Sequence, residues 1–320
     1  MAGSTSRWGL VFGFGAILSW SFGAAAVSLA APVIGAWRFI GLTALIGSAT
    51  QVLWRWWSYR DLRPAVLLPP KLWFVTLFGF VLNILCYMLA IAMARTDAQR
   101  CAVNLINYLW PPLTVVFGVM WVPGTRFQWT LALALLCAVA GTVLANRNPI
   151  GGAPTSTGWE HDAGRLSEAL PYLLASIGAV TWASYSTLLA RWRNWAGRYN
   201  TTAVGLLILG VIATLGSVPF DGSDLRLTPT AGVITVLFGL VTQGGGYLLW
   251  ERALSRADVK ALGLIGSATP VLSTLWLCAS LRYVPGDELW LAALLVSLAA
   301  VLGARSQVIS GPNCGTTLGE

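Results

Sequence analysis

Aromatic and neutral polar residues recur at helical spacing inside long apolar runs of this 320-residue sequence. Asn83 and Tyr87 stand four residues apart, so they share one face of a helix. Gln243, Tyr247 and Trp250 are spaced by four and three and share a face in the same way. These faces present rings, amides and hydroxyls without formal charge. They predict a site for a flat, partly apolar solute with its own hydrogen-bonding groups.

More residues of this kind stand beside residues that break helices. Proline removes a backbone donor and bends a helix, so prolines here predict hinges next to a cavity, with inert kinks as the alternative. The predicted substrate-binding set is Trp20, Asn83, Tyr87, Asn107, Tyr108, Trp110, Trp182, Tyr185, Gln243, Tyr247 and Trp250. The predicted hinge set is Pro111, Pro112, Gly263, Gly266 and Pro270. For Trp110 and Trp182 a place in the interfacial aromatic belt is the alternative to a cavity.

The residue types that catalysis and metal binding require are sparse. His161 is the single histidine, and the five cysteines are scattered without a CxxC pair. The sequence contains no HExxH, GxSxG or GxxxxGK[ST] motif and no facing pair of carboxylates within its apolar runs. We therefore predict no enzyme, no cofactor and no metal site.

Two charged residues have both a structural and a functional interpretation. Arg38 lies within an apolar run, where it either stabilises a neighbouring helix or meets a substrate carboxylate; the structural role is favoured. Glu251 stands beside Arg252 at the end of another run, where an interfacial ion pair is favoured over a proton-coupling site.

Composition identifies the environment in which these residues act. Hydrophobic residues make up 56% of the chain and charged residues 10%, against roughly 25% charged in soluble proteins. The mean hydropathy is +0.70. These values exclude a soluble enzyme, a nucleic-acid binder and a disordered chain, and they predict an all-α, polytopic membrane protein. The net charge of +8 then mainly reflects orientation in the membrane.

A span requires about 20 mostly apolar residues, and this criterion predicts ten transmembrane helices. They are 8–30, 32–54, 71–93, 98–121, 127–146, 169–190, 201–219, 230–251, 257–280 and 287–305. The predicted organisation is a first five-helix repeat over 1–146, a linker over 147–168, a second five-helix repeat over 169–305 and a tail over 306–320. With ten spans, the side that holds both termini carries thirteen Lys and Arg and the other side six, so both termini are predicted to be cytoplasmic.

An internal repeat relates the two halves. The matched positions are Tyr87 and Tyr247, Ala94/Ala98 and Ala253/Ala257, Pro111 and Pro270, and Pro123-Gly124 and Pro285-Gly286. Their offset stays between 159 and 162 residues. Five spans in each half make the second repeat inverted, and inverted repeats are typical of transporters that bind substrate between their halves.

The ten spans, the repeat, the AWRF sequence at 36–39 and the Tyr–Ala–Ala–Pro order resemble the drug/metabolite transporter superfamily of EamA type. The run NLINYLWPPLTVVFG and the tryptophan-rich interior are similar to its branch of bacterial aromatic amino-acid exporters. The resemblance implies an inner-membrane exporter with a central cavity built by spans 1, 3, 4, 6, 8 and 9. The pocket residues that it implies are Tyr87, Tyr108, Trp110, Trp182 and Tyr247.

The predicted function is export of aromatic amino acids and similar amphipathic solutes by alternating access without ATP. A broad-specificity drug or metabolite exporter is the alternative in the same class, and a channel or structural membrane protein is the alternative in another. The predicted partners are a small-molecule substrate and the lipid bilayer, without nucleic acid, and a monomer is the default state. Facilitated export or weakly coupled antiport is favoured, because no convincing titratable group lies in the predicted pathway.

Overall fold

The computed structural model of the protein describes residues 7–63, 67–121, 128–145, 159–192, 195, 198–222, 228–256, 262 and 265–306. Within these ranges all regular elements are helices. Their bounds are α1 Arg7–Ser21, α2 Gly23–Ile34, α3 Ala36–Tyr59, α4 Pro70–Val75, π1 Thr76–Val81, α5 Leu82–Met93, α6 Asp97–Asn107, α7 Trp110–Trp121, α8 Trp129–Ala145, α9 Trp159–Arg191, α10 Thr201–Phe220, α11 Pro229–Leu237, π2 Phe238–Gly246, α12 Tyr247–Arg256, α13 Thr269–Leu281 and α14 Asp287–Ser306.

Seven helices in the described part of the chain are long and apolar enough to cross a membrane. They are Arg7–Ile34, Pro70–Met93, Asp97–Trp121, Glu168–Leu189, Thr201–Phe220, Pro229–Ala253 and Asp287–Arg305. Two shorter apolar helices, α8 and α13, and the 24-residue α3 occupy the remaining predicted spans. The prediction of a helical, polytopic membrane protein is confirmed, while ten crossings remain a prediction.

The boundary between the first two helices differs from the predicted one. The first span, which comprises α1 and α2, continues through Pro32 to Ile34, and α3 begins at Ala36. Gly35 makes this break with a φ of 91°, in a region that favours glycine. The carboxylate of Asp221 then accepts hydrogen bonds from the backbone N–H groups of Trp37 and Arg38, at 3.1 and 2.6 Å. A carboxylate at this position stabilises the first turn of α3.

The described part of the second half begins within the predicted linker. Helix α9 begins at Trp159, inside the predicted linker 147–168, and runs for 33 residues to Arg191. The gain in length comes from a polar extension ahead of the apolar span. A helix can continue through polar residues where it lies outside the bilayer. Hydropathy alone therefore places the start of this helix too late in the sequence.

Irregular features recur in both halves at the offset of the sequence repeat. The π segments π1 and π2 begin at Thr76 and Phe238, 162 residues apart. Two-residue turns interrupt the chain at Tyr108–Leu109 and at 267–268, which is an offset of 159. Helix packing is paired as well: α3 contacts π2 and α10 contacts π1, while α1 contacts α12 and α9 contacts α5. This recurrence supports the predicted repeat with structural features that hydrophobic pattern does not encode.

The halves meet along tightly packed helices around a large hydrophobic core. Helix α3 packs against α10, α8 packs against α14, and the core includes the fully buried Phe39, Phe80 and Leu206. Glycine permits the closest approach: a Cβ on Gly47 of α3 would lie 2.5 Å from the Cβ of Gln243 and 3.0 Å from its backbone carbonyl carbon. Small residues at such crossings let helices approach in a membrane, where the hydrophobic effect does not drive association.

Candidate substrate cavity

A cavity of about 110 Å³ lies between the two halves. Its lining comes from helices that occupy predicted spans 1, 3, 4, 6, 8 and 9. The lining residues are Ile17, Trp20, Gly23, Val27, Asn83, Ile84, Tyr87, Met88, Asn107, Tyr108, Trp110, Trp182, Phe238, Thr242, Gln243, Tyr247 and Thr269. Nine of the eleven predicted substrate-binding residues are among them. No charged side chain lines this cavity within the part of the chain that the structure describes.

Trp182 is at the centre of the aromatic side of the cavity. Its ring lies 6.2 Å from that of Trp110 in a T-shaped arrangement and 6.2 Å from that of Tyr247. Trp20 extends the group, with its ring centroid 5.2 Å from that of Tyr247. These separations are in the range of favourable aromatic pairs, so the rings fix one another's positions. The wall that they form draws residues from both halves of the chain.

Phe80 supports this wall from behind. It is fully buried, and its ring lies 5.2 Å from that of Tyr247, 5.5 Å from that of Tyr185 and 6.0 Å from that of Trp182. Phe80 belongs to π1, whose wider turn sets where the ring points. Phe80 is not among the predicted site residues, because a phenylalanine in an apolar run has no polar signal to distinguish it.

Several polar lining residues donate to the protein itself. The Asn83 side-chain amide donates to the carbonyl of Gly178 in α9 at 2.8 Å. The Tyr87 hydroxyl donates to Asn104 Oδ1 at 2.6 Å. The Gln243 amide contacts Met88 Sδ at 3.7 Å. These bonds join helices of opposite halves or rigidify the lining, so part of the predicted polar set shapes the cavity.

Two lining residues have a buried hydrogen-bonding atom without a partner among the described residues. They are Trp20, through its indole Nε1, and Asn107, through its side-chain Oδ1. One is a donor and the other an acceptor. A buried polar group without a partner costs about 1–3 kcal/mol, so a solute with an acceptor and a donor would relieve both costs.

The family of the protein follows from comparison with known sequences. The EamA-like transporter family matches residues 7–147 and 169–304, which is most of the chain. The chain belongs to this family. The match confirms the resemblance to the EamA-type superfamily, and membership indicates a transporter in a membrane.

Relatives of this EamA-like transporter have more specific names. The aromatic amino acid exporter YddG of Ancylobacter novellus is 30% identical over 295 residues, which are 91% of this chain and 95% of that protein. The protein of the same name in Escherichia coli K12 is 28% identical over 221 residues, 68% of this chain and 71% of that protein. The one from Salmonella typhimurium is 27% identical over 224 residues, 70% of this chain and 73% of that protein.

A solved crystal structure shares the fold of this EamA-like transporter. It is 26% identical to this chain and covers 96% of it, and all of that structure is matched. The TM-score is 0.69, so the likeness extends to the arrangement of the helices throughout the chain.

Two predicted substrate-binding residues lie behind the lining of this EamA-like transporter. The Tyr185 ring packs 5.4 Å from that of Trp182, but its hydroxyl is bonded to that of Thr201 at 2.7 Å. The Trp250 ring lies 5.4 Å from that of Trp20 and is not part of the lining. Helical spacing predicted both residues for the site, but the rings of Trp182 and Trp20, against which they pack, occupy the lining instead.

The predicted hinge residues lie next to the turns that interrupt two helices. Pro111 and Pro112 are in the first turn of α7, directly after Tyr108–Leu109. Pro270 is in the first turn of α13 and has no N–H for the carbonyl of Gly266, which instead accepts from the Thr269 hydroxyl at 2.6 Å. A side chain thus replaces the missing helical bond, as a membrane interior requires. Gly263 lies outside the described residues.

The two charged residues with open interpretations lie away from the cavity. The Arg38 guanidinium donates to the carbonyl of Gly222 at 3.1 Å, at the end of α10, which supports its structural role. Glu251 lines a second cavity of about 50 Å³ together with Arg55 and Asn200. The arginine next to it in sequence, Arg252, extends over the ring of Trp54 at 4.1 Å.

A buried polar network that the sequence analysis did not find supports π2. The Gln51 amide of α3, fully buried, donates to the backbone carbonyl of Gln243 at 3.1 Å. The Gln51 carbonyl oxygen accepts from the Thr202 hydroxyl at 2.8 Å. A glutamine in an otherwise apolar span is the available signal, because polar groups within a membrane protein need partners.

Proposed function

We propose that this protein exports aromatic amino acids and similar amphipathic small molecules across the bacterial inner membrane by alternating access, without ATP. The observation that carries the proposal is the aromatic wall of the cavity, in which Trp110, Trp182 and Tyr247 meet from both halves. A flat aromatic side chain can pack on these rings, and each aromatic contact contributes about 0.5–1.5 kcal/mol beyond burial of area.

The cavity has space for a solute larger than water. Its volume of about 110 Å³ far exceeds the ~10–15 Å³ that one water requires.

The polar atoms of the lining favour a solute without net charge. The partnerless Trp20 Nε1 and Asn107 Oδ1 offer one donor and one acceptor, and both are neutral. A zwitterionic aromatic amino acid has acceptor and donor ends and no net charge, whereas phosphate would require basic side chains. The names of the curated relatives agree with this class of substrate.

The mode of energy coupling that we infer is facilitated export or weakly coupled antiport. Proton-coupled carriers usually have an ionisable group in the substrate pathway. The described lining contains amides, hydroxyls, an indole donor and apolar side chains. Both termini face the cytoplasm in this proposal, and a monomer is sufficient because one chain encloses the cavity.

Counterflow in proteoliposomes tests the proposed function. Purified protein is reconstituted with unlabelled phenylalanine inside, and labelled phenylalanine, tryptophan, glutamate and lysine are added outside in separate experiments. We expect saturable exchange of the two aromatic amino acids and none of the two charged ones. Flux that increases linearly with concentration would identify a channel, and exchange of all four would identify a carrier without aromatic selectivity. Absence of exchange in folded protein would reject the proposal.

A further inference from the structure

Two buried cysteines meet where helices α6 and α13 cross. Cys101 Sγ lies 3.8 Å from Cys278 Sγ, and one residue comes from each half of the chain. Nearer the cavity, the Asn104 amide donates to the Ser273 hydroxyl at 3.1 Å, and that hydroxyl also lies 3.2 Å from Asn104 Oδ1. These four residues, Cys101, Asn104, Ser273 and Cys278, are termed the α6–α13 seal.

The α6–α13 seal lies to one side of the cavity in successive layers. Asn107 of α6 and Thr269 of α13 line the cavity. Asn104 lies about one turn further along α6, and Cys101 lies roughly 9 Å from Asn107 at 1.5 Å per residue. Within the seal, Asn104, Ser273 and Cys101 have no exposed surface. The seal therefore leaves no path along this crossing from the cavity to the loop ends at Asp97 and Arg282.

One cavity residue is bonded directly to the α6–α13 seal. The Tyr87 ring lines the cavity, and its hydroxyl donates to Asn104 Oδ1 at 2.6 Å. Asn104 is in turn bonded to Ser273. A substrate that packs on the Tyr87 ring is therefore linked through the Tyr87 hydroxyl to Asn104, whose bond to Ser273 joins α6 to α13.

We propose that the α6–α13 seal is the outer gate of the transporter, which separates to release substrate on the side away from the cytoplasm. This inference rests on the proposed function and on the predicted orientation, in which Arg95, Arg100 and Arg282 face outward. The helices on either side of the seal are interrupted at repeat-related turns, 108–109 and 267–268, next to the cavity. Each of α6 and α13 can rotate about its turn while the rest of its span stays packed.

Oxidation of the two native thiols tests whether the seal must open. The experiment uses a background in which Cys86, Cys137 and Cys314 are replaced by alanine, and copper(II) phenanthroline with dioxygen as the oxidant. The two thiols lose two protons and form one S–S bond, and their two electrons pass to copper(II) and then to dioxygen. The sulfurs need to approach from 3.8 Å to about 2.05 Å. Maleimide labelling after denaturation counts the remaining thiols.

We expect both thiols to be lost within minutes and transport to fall at least tenfold, with full recovery after dithiothreitol. Binding of labelled substrate to the oxidised protein should persist, because none of the four residues of the seal lines the cavity. Transport at the original rate by fully cross-linked protein would overturn the proposal. Loss of binding together with transport would also count against it, since the cavity itself would then have collapsed. Thiols that do not react would contradict the contact.

The matched control for oxidation is Cys101→Ser in the same background. It retains one thiol, so it cannot form the intramolecular bond. The oxidant should leave its transport rate where it was before the addition. A fall in this variant equal to that of the two-cysteine protein would assign the effect to oxidation elsewhere.

A second measurement does not require knowledge of the substrate. Ser273→Ala removes the hydroxyl that bridges to Asn104, so the gate should open more often. A membrane-impermeant maleimide added from outside should then alkylate Cys101 or Cys278 at least threefold faster. The control is Thr274→Val, because the Thr274 hydroxyl is bonded within its own helix to the Pro270 carbonyl at 2.8 Å. Equal alkylation rates in the two variants would overturn the gate. Failure of aromatic exchange by unoxidised protein would instead reject the proposed function.

Discussion

Individual lining residues divide into those that present a surface to a solute and those that hold the cavity in shape. The Trp182 ring contacts the rings of Trp110 and Tyr247 in the wall of the cavity. Asn83 is also in the lining, but its amide is bonded to the Gly178 carbonyl. Replacing Asn83 therefore threatens the packing of α5 on α9, whereas replacing Trp182 mainly removes contact area. The most informative substitutions for substrate selectivity are those of the aromatic rings.

The substitution Trp182→Ala should weaken transport of tryptophan and phenylalanine more than that of a small aliphatic amino acid that the protein also carries. Loss of an aromatic contact of about 0.5–1.5 kcal/mol corresponds to roughly three- to tenfold in affinity, and loss of packing area adds to it. Counterflow at several substrate concentrations measures the effect. Trp129→Ala is the control, because Trp129 of α8 is 84% exposed and does not line the cavity. Equal losses in the two variants would show that the Trp182 ring does not contact substrate.

At the scale of elements, the π segments and the interrupted helices depend on partners supplied by other helices. A π turn changes the helical hydrogen-bond pattern, and in a membrane the affected carbonyls cannot bond to water. Gln51 of α3 supplies a donor to Gln243 in π2, and Thr269 supplies one to Gly266 before α13. The irregular segments that place Gln243 and Thr269 at the cavity are thus held by hydrogen bonds from side chains. Gln51 lies outside the cavity, and Thr269 lies at its edge.

Gln51→Leu should destabilise the protein by about 1–3 kcal/mol, because it removes the buried donor to the Gln243 carbonyl and leaves the Thr202 hydroxyl with Asn200 Oδ1 alone. Thermal unfolding in detergent should show a lower midpoint temperature. The matched control is Thr50→Val on the same helix, since the Thr50 hydroxyl is bonded to its own helix at the Ile46 carbonyl. If Gln51→Leu and Thr50→Val both unfold at the midpoint temperature of the wild type, the network contributes no stability.

Pro270→Ala should slow transport while leaving substrate affinity comparatively intact. The new N–H can bond to the Gly266 carbonyl, so the helix can continue through the turn at 267–268 and become stiffer. Pro111→Ala with Pro112→Ala should act in the same way on the turn at Tyr108–Leu109. The maximal rate and the half-saturating concentration in proteoliposomes separate the two effects. Normal rates in inserted, folded protein would identify all three prolines as inert kinks.

At the scale of the whole molecule, the two halves form one cavity that neither half contains alone. Trp20 and Trp110 belong to the first half and Trp182 and Tyr247 to the second. The same helix contacts recur in both halves, as expected if the halves exchange conformations during transport.

A reporter fused to the C-terminus should report a cytoplasmic location. The prediction follows from thirteen Lys and Arg on the side of the termini against six on the other. An alkaline phosphatase fusion, active only in the periplasm, should be inactive, and a fluorescent protein fusion should be bright. The opposite pattern would contradict ten spans and the inverted relation of the halves together.

The amino-acid sequence determined the class of the protein, the approximate place of its helices and most of its cavity. Hydrophobic runs of about 20 residues predict spans whatever their packing, because each must match the thickness of the bilayer. The span 201–219 is an example, because α10 extends from Thr201 to Phe220. Polar and aromatic residues in apolar runs also identify cavity positions such as Tyr87 and Gln243, since their burial requires partners.

The tertiary structure alone decided which side chains reach the cavity and which support it. Tyr185 was predicted to bind substrate and Phe80 was not, but their rings lie side by side behind the wall. Phe80 is placed there by the π turn to which it belongs, and Tyr185 is held there by the bond between its hydroxyl and that of Thr201. Cys101 and Cys278 are 177 residues apart, and their contact depends on the crossing of α6 and α13. The spacing of residues along one helix determines only the direction in which each side chain leaves that helix. The distance between residues on different helices depends on packing angles and turns that no single segment encodes.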